Sequence, residues 1–339
     1  MRGVFDLRPA RSPRLGKEPT PRMRSRLPIV LISLVSLLAL PAAAQAKLTV
    51  GIGENNPGIF ADPNFQAMGA KHVRVVVSWN VLSRVGDDEI HRVESYLFAA
   101  QAAGITPLVT FEHARGDATI CNKRKNRKKP QCKLPTAKQY EKALRAFKAR
   151  FPYVRNVVAW NEINHFTQPT YKNPKAAAKF TMIARKVFKG GTVVAADILD
   201  QADNVRAKRP TFKSTTRYIK AFRKAYKGPR SVCGVHNYSD TNRFRQTGTK
   251  AIIKALGCKQ IWLTEAGGLY KFVGYKADQK RQLKATKYMF KVAKANKKIK
   301  RLYVYSWFGA PRSARFDSGL INPNGTPRKA YAEVRKHVK

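Results

Sequence analysis

Short apolar runs recur along the chain after residue 47, and each run is continuous rather than alternating. The eight runs are Leu48–Ile52, Val73–Trp79, Ile105–Phe111, Val154–Trp160, Thr192–Ile198, Ser231–His236, Gln260–Thr264 and Leu302–Trp307. Continuous apolar runs of this length are typical of strands that are covered on both faces, as in a parallel sheet. We therefore predict eight buried strands.

Helical patterns separate these runs. The clearest one places Tyr140, Leu144 and Phe147 on one face, behind a capping-box pattern formed by Thr136 and Gln139. Eight strand–helix repeats without a linker predict an α/β protein with a single-domain (β/α)8 TIM barrel. A doubly wound open sheet is the alternative, but the sequence lacks the third glycine and the following helix that its nucleotide-binding fingerprint requires.

The first 46 residues have a different pattern, and we interpret them as a signal peptide with an extended N-terminal segment. Basic residues precede the apolar run Leu27–Leu40, and Ala44-Gln45-Ala46 supplies the small residues of a cleavage site. The run is shorter than the ~20 residues that span a bilayer, although an uncleaved membrane anchor is an alternative. We expect residues 47–339 to form the folded domain of a secreted protein, and retention at the cell surface is left open.

The protein is strongly basic, with a formal net charge of +47. Residues 47–339 alone carry +41, because only a few of the charged side chains precede them. Such a charge favours salt-dependent contact with polyanions. For an exported protein we expect an anionic cell envelope or an acidic glycan rather than nucleic acid. A solvated basic surface without a partner is the alternative.

Four cysteines, an even number in an exported chain, predict disulfides. Cys121 and Cys132 flank a run with six basic residues, which a disulfide between them would hold together. Cys233 and Cys258 would then form the second pair, although the sequence does not fix the connectivity. Neither pair has the spacing of metal ligands, and we expect no cofactor.

Polar side chains end several of the runs. In a barrel of this kind the active site lies at the carboxyl ends of the strands, and three runs end in a carboxylate, namely Glu112, Glu162 and Glu265. A single carboxylate at such a place is more simply explained as a local ion-pair partner. Two that face each other across a cleft are the minimum for hydrolysis of a glycosidic bond. Glu162 and Glu265 are therefore the candidate catalytic residues, and the role of Glu112 is left open.

The sequence resembles the large clan of retaining glycoside hydrolases built on (β/α)8 barrels, which includes the family 5 cellulase-like enzymes. The resemblance spans the chain from Leu48 to about Val338. Its motifs are matched by Asn161-Glu162 after the fourth run, Glu265 directly after the seventh, Arg74 in the second, His113 after the third, His236 and Tyr238 at the sixth, and Trp307 at the eighth. Together these residues follow the clan's order around the barrel.

The resemblance implies that Glu162 is the acid/base and Glu265 the nucleophile of a double displacement on a poly- or oligosaccharide, most naturally a β-linked one. Asn161 would hold the substrate's 2-hydroxyl, while Arg74 and Tyr238 would bind Glu265. His236 and His113 would tune Glu162, and Trp307 would form the apolar floor under the sugar.

Two further expectations accompany this assignment. The pKa of Glu265 should be lowered by Arg74, and that of Glu162 should be raised by burial and by the opposing negative charge. The competing hypothesis is a non-catalytic, basic, envelope-associated carbohydrate-binding protein on a degenerate barrel. The sugar, the linkage, the choice between internal and terminal cleavage and the oligomeric state are not determined by the sequence.

Overall fold

The computed structural model describes residues 48–83, 88–274 and 276–338. The predicted signal peptide lies outside these residues. Within them, none of the helices has both the length and the apolar character that crossing a bilayer requires.

One sheet of parallel strands forms the centre of the described structure. Its strands are β1 (Thr49–Gly53), β2 (His72–Ser78), β3 (Thr106–Glu112), β4 (Asn156–Val158), β5 (Thr192–Val194), β6 (Asp197–Leu199), β7 (Val232–His236), β8 (Gln260–Ala266) and β9 (Ile299–Tyr305). The surrounding helices are α1 (Pro63–Met68), α2 (Asp88–Ala102), α3 (Ala137–Arg150), α4 (Pro174–Val187), α5 (Lys213–Ala225), α6 (Tyr238–Asn242), α7 (Thr247–Leu256), α8 (Gln279–Ala295) and α9 (Lys329–Val338).

The sheet closes through the fifth predicted run, which the structure divides into β5 and β6. β5 pairs with β4, and β6 pairs with β7. The two residues between them continue the closure, because Ala195 N donates to Val232 O at 2.9 Å and Gly234 N donates to Ala196 O at 2.5 Å. The predicted TIM barrel is therefore confirmed. The fifth strand is split because its first half faces one neighbour and its second half faces the other.

Apolar side chains fill both sides of the barrel wall. Alternate residues of β2, Val73, Val75 and Val77, point outward to the helices and are fully buried there. A smaller cluster fills the barrel interior and consists of Leu108, Val158, Val194, Val232, Trp262 and Tyr303. Around the outside, α3 begins at the predicted capping box, in which Thr136 and Gln139 exchange both hydrogen bonds. The continuous apolar runs are thus strands buried on both faces, as their pattern predicts.

Both predicted disulfides are present. Cys121 pairs with Cys132, with their Cα atoms 5.3 Å apart, and Cys233 pairs with Cys258. The first closes the basic loop that follows β3. The second joins β7 to the segment that enters β8.

Candidate active site

A layer of buried polar side chains lies above the apolar interior of the barrel, toward the carboxyl ends of the strands. Its members come from five strands and are Arg74, Thr110, Asp197, His236 and Thr264, each no more than 1% exposed. Arg74 Nε donates to Thr110 Oγ1 at 3.1 Å, and the Thr264 hydroxyl donates to Asp197. Buried charges need such partners, because isolated charges are costly to remove from water. The layer therefore forms a connected polar floor for the mouth of the barrel.

Gly234 creates the space for the central carboxylate of this layer. It pairs with Asp197 in the register of β6 and β7. A Cβ atom at position 234 would lie 2.2 Å from Asp197 Oδ1. The strand therefore requires glycine at this position, because any side chain would displace the buried acid.

Glu265 lies at the mouth, where β8 departs from regular pairing between Leu263 and Ala266. An irregularity of this kind re-aims side chains, and here both Thr264 and Glu265 face the interior. Arg74 Nη1 donates to Glu265 Oε2, and the Tyr238 hydroxyl donates to Oε1 at 2.9 Å. Both carboxylate oxygens are thus held by donors.

Glu162 lies across the mouth, four residues after the end of β4. Its backbone φ of 38° falls in the left-handed region, which is uncommon for a residue with a side chain and tends to occur at functional sites. His236 Nδ1 lies 3.0 Å from Glu162 Oε1, and His165 Nδ1 lies 3.5 Å from Oε2. Burial alone would raise the pKa of Glu162, but the hydrogen bond and charge of His236 outweigh it and lower the pKa. The expectation of a raised pKa is therefore wrong, because it did not include His236 as a cation.

His236 lies between carboxylates on both sides of its ring. Its Nδ1 faces Glu162, and its Nε2 lies 3.0 Å from Asp197 Oδ2. Burial opposes the charged ring, yet Asp197, Glu265 and Glu162 together raise the pKa of His236 to about 10. The same ion pair holds the pKa of Asp197 below its usual value in spite of burial. His236 is thus an imidazolium that connects the polar floor to the mouth.

The two candidate catalytic carboxylates are close to each other. His236 Nδ1 is 3.0 Å from Glu162 Oε1 and 4.0 Å from Glu265 Oε2. Those two oxygens are therefore no more than about 7 Å apart, which admits the ~5–5.5 Å of retaining glycosidases and excludes most of the ~6.5–9.5 Å range of inverting ones.

Asn161 connects the Glu265 side of the mouth to a third carboxylate. Its Oδ1 accepts from Arg74 Nη2 at 2.9 Å, and its Nδ2 donates to Glu112 Oε2 at 3.4 Å. Burial raises the pKa of Glu112. His113 lies beside Glu112, 3.8 Å from Nε2 to Oε2, and its Nδ1 faces its neighbour's carbonyl. The expectation that His113 tunes Glu162 is not supported by these contacts.

Trp307 does not face the mouth. It is fully buried outside the barrel, its ring lies 5.4 Å from that of Phe65, and its Nε1 donates to Asp62 Oδ2 at 3.1 Å. The expectation that it forms the floor under a sugar is wrong, because Trp307 lies beyond the end of β9 and points outward. Tyr305, the last residue of β9, faces the interior instead.

Two cavities open at this end of the barrel. The first, the catalytic cavity, has a volume of about 620 Å³; its lining includes Glu162, Glu265, His165, Tyr238, Tyr305 and Phe316. The second, the outer cavity, has a volume of about 730 Å³; its lining includes Tyr171, Lys172, Asp203, Arg217 and Tyr218. They share Gln201 and Ala202 in their walls. No group of three potential metal-ligating side chains occurs in the part of the chain that the structure describes.

Sequence reasoning found much of this site but missed three of its members. Arg74, Asn161, Glu162, His236, Tyr238 and Glu265 are brought together. Asp197 was missed although a charged residue inside an apolar run was a visible signal. Tyr305 was missed because the predicted eighth run extends to Trp307, which made Trp307 the last aromatic residue of that strand. His165 was missed because it lies in the segment that follows β4, away from the ends of the predicted runs.

A (β/α)8 barrel with two closely spaced carboxylates at the carboxyl ends of its strands defines a glycoside hydrolase. Residues 129–332 match the model of the family described as glycosyl hydrolase catalytic core, and the chain belongs to that family. The protein is therefore an O-glycosyl hydrolase, and the resemblance to the clan of barrel glycosidases is confirmed.

Solved structures show the same fold at low sequence identity. GH5_18 from Streptomyces cattleya, in complex with GlcNAc, is 14% identical, with 86% of this chain and 80% of that chain covered and a TM-score of 0.57. A psychrophilic family 10 endo-β-1,4-xylanase is 14% identical over 85% of this chain and 96% of its own, with a TM-score of 0.59. A β-glucosidase from Thermotoga maritima is 11% identical over 83% and 85%, with a TM-score of 0.53. No curated protein matches the chain.

Proposed function

We propose that the protein is a secreted, retaining β-glycosidase that cleaves a poly- or oligosaccharide by double displacement. The observation that carries this proposal is the position of His236 Nδ1 between Glu162 and Glu265, at 3.0 and 4.0 Å. Two carboxylates this close can act on the same anomeric centre.

Glu265 is the nucleophile in this proposal. Arg74 and Tyr238 donate to its two oxygens. The pKa of Arg74 is raised because its carboxylate partners outweigh burial, and the pKa of Tyr238 is raised by burial. Neither donor therefore loses its proton readily near neutral pH. These two donors fix the position of both carboxylate oxygens. Glu265 attacks the anomeric carbon, the bond to the leaving oxygen breaks, and a covalent glycosyl-enzyme forms.

Glu162 is the acid/base in this proposal. The proton needed by the leaving oxygen is shared along the hydrogen bond between His236 Nδ1 and Glu162 Oε1, at 3.0 Å. Glu162 takes up that proton and passes it to the departing oxygen. In the second step Glu162 accepts a proton from water and returns it to His236, the water oxygen attacks the anomeric carbon, and Glu265 is released.

The substrate has more than one sugar unit. The catalytic cavity and the outer cavity meet at Gln201 and Ala202, so a glycan that is cleaved in the first extends into the second. Tyr171 lines the outer cavity and is 38% exposed, which offers a face for stacking on a pyranose ring.

The stereochemistry of the product tests the proposal. Wild-type protein is assayed on a panel of aryl β-glycosides and polysaccharides, and the anomeric form released first is followed by proton NMR. We expect retention, and no turnover by the Glu162→Ala/Glu265→Ala double variant. An inverted product, or undiminished activity of the double variant, would contradict the mechanism; carbohydrate binding without turnover by the wild type would instead favour the non-catalytic hypothesis.

A further inference from the structure

The loop that follows β3 carries six exposed basic side chains in seven positions. They are Lys123, Arg124, Lys125, Arg127, Lys128 and Lys129. We call residues 117–133 the stapled loop. Blocks of like charge of this density normally repel each other and remain disordered. In this protein the block has a defined fold, so the interactions that hold it are informative.

Several contacts hold the stapled loop in place. The disulfide between Cys121 and Cys132 closes it. Inside it, Asn126 is 9% exposed and its Nδ2 donates to Ile120 O at 2.8 Å. At its start, Asp117 caps the first turn by accepting from Thr119 N at 2.9 Å. These contacts fix the backbone while they leave all six cations in solvent.

The charge of the stapled loop is not neutralised within the described structure. None of the six cations forms an ion pair there. Asp117, the only acidic residue of the loop, is occupied by the cap. A fold that maintains such repulsion provides a rigid, positively charged surface for a polyanion.

The stapled loop lies at the catalytic end of the barrel. It begins five residues after Glu112, the last residue of β3, and Glu112 accepts from Asn161 Nδ2 at 3.4 Å. Asn161 directly precedes Glu162. The rim that carries the six cations is therefore continuous with the rim of the proposed active site.

The outer cavity has the same sign of charge. Lys172 and Arg217 line it and are exposed, and neither forms an ion pair within the described structure. Asp203, the carboxylate in its lining, accepts from Lys213 N at 2.7 Å and Ser214 N at 3.1 Å and so caps α5. Lys172 and Arg217 outnumber this one carboxylate, so the lining has a net positive charge and suits an acidic sugar.

We propose that the substrate is an acidic polysaccharide, a chain of carboxylate-bearing sugars, which the stapled loop and the outer cavity bind beside the catalytic pair. The inference rests on the proposed function, since it names the substrate class of that site. The proposal concerns the stapled loop and not the basic surface in general. Helix α8 carries a comparable row of exposed lysines, but it lies on the outer wall of the barrel.

The experiment measures binding of polymannuronate, an acidic polysaccharide with β-linked sugars, to protein that carries Glu265→Gln, so that no cleavage occurs. Three charges are removed from the stapled loop in one variant, K123Q/K125Q/K128Q, and three from α8 in the matched control, K287Q/K291Q/K294Q. A third variant, K172Q/R217Q, alters the outer cavity. Affinity is measured from low to physiological salt, with an uncharged galactan and duplex DNA as comparison ligands, and melting temperatures check the folds.

We expect the loop variant to weaken polymannuronate binding about tenfold and to reduce its salt dependence, because fewer counterions are displaced. The cavity variant should also weaken it, and the α8 control should change it less than about twofold. Equal losses in the loop variant and the α8 control would overturn the proposal. So would equally tight binding of the uncharged galactan, or tighter binding of DNA than of polymannuronate.

The outcome is distinguishable from a failure of the proposed function. If the wild type hydrolyses uncharged glycans and the Glu265→Gln protein does not bind polymannuronate, the protein is a glycosidase and only the acidic substrate is wrong. If the wild type cleaves no glycoside at all, the proposed function fails whatever the binding data show.

Discussion

Glu162 and Glu265 are almost equally exposed, at 17% and 14% of their side chains, yet they have different neighbours. Glu265 is held by the guanidinium of Arg74 and the hydroxyl of Tyr238. Glu162 is held by the ring of His236, and it lies on a backbone with a φ of 38°. Burial therefore does not distinguish the two acids, whereas the identity of the donors does.

The difference concerns which donor can give up a proton. The pKa of Arg74 is raised, because its carboxylate partners outweigh burial, and the pKa of Tyr238 is raised by burial. The two donors of Glu265 thus keep their protons throughout the neutral range. Of the three donors, His236 holds its proton least tightly, because its pKa is about 10 whereas the pKa of Tyr238 is raised well above 10 and that of Arg74 is raised from an already higher ordinary value. This proton lies on the hydrogen bond to Glu162. Two carboxylates on one rim thus acquire the separate roles that a double displacement needs.

The comparison predicts the largest loss of activity at Glu265. Glu265→Gln keeps the shape of the side chain but removes the attacking anion, and we expect kcat/KM on aryl β-glycosides to fall by about 10⁴-fold or more. Glu112→Gln is the matched control, since Glu112 is another carboxylate on the same rim that contacts Asn161 rather than Arg74. A similar loss in both variants would show that the assignment of Glu265 is not specific.

Removal of Glu162 should have an effect that depends on the leaving group. Glu162→Ala removes the proton donor, and we expect a loss of about 10²–10⁴-fold on substrates with poor leaving groups. A dinitrophenyl leaving group needs no protonation, so its release should be much less affected, with a burst followed by slow hydrolysis of the glycosyl-enzyme. Added azide should accelerate the second step. A uniform loss across leaving groups would contradict the acid/base role of Glu162.

A third experiment changes the imidazolium without touching either carboxylate. Asp197 raises the pKa of His236, so Asp197→Asn should lower it. The proton shared with Glu162 is then lost at a lower pH, and the basic limb of the profile of kcat/KM against pH should move down by about one unit or more. We also expect about a tenfold lower rate at neutral pH.

Asp203→Asn is the control for this experiment, because Asp203 caps α5 and does not contact His236. It should leave the basic limb in place. An unchanged basic limb in Asp197→Asn as well would mean that Asp197 supports the fold of the barrel without positioning the proton.

The fold was predictable from the sequence because its signals are local. A continuous apolar run reports burial on both faces, and the Thr136–Gln139 capping box reports the start of α3. The division of the fifth run into β5 and β6 was not predictable in the same way. It depends on which strands lie on either side of the run, and the amino-acid composition of the run does not show which strands those are.

The site was predictable where a residue ends a strand and not where it lies inside one. Glu162 and His236 were found because polar residues at strand ends meet at the mouth of a barrel. Asp197 lies within the barrel wall, and its partner in the register is Gly234. The exchange of Trp307 for Tyr305 arose because Tyr303, Tyr305 and Trp307 follow one another at the two-residue spacing of a single strand face. The sequence does not show that β9 ends at Tyr305, after which Trp307 no longer follows the alternation of the strand.

The two histidines beside Glu162 test which ring shares the proton with this carboxylate. The smaller of their two effects, at His165, is also the smallest that we predict. Burial lowers the pKa of His165, so at neutral pH this ring is uncharged and 3.5 Å from Glu162 Oε2. It cannot act as the proton store that His236 provides. We therefore expect His165→Gln to change kcat/KM by less than about threefold and to leave the basic limb of the pH profile at the same pH. In contrast, His236→Gln should move the basic limb to lower pH. If His165→Gln moved the limb and His236→Gln did not, the proton would be shared through the half-buried ring of His165 and not through the fully buried ring of His236. The account of how the two carboxylates differ would then be wrong.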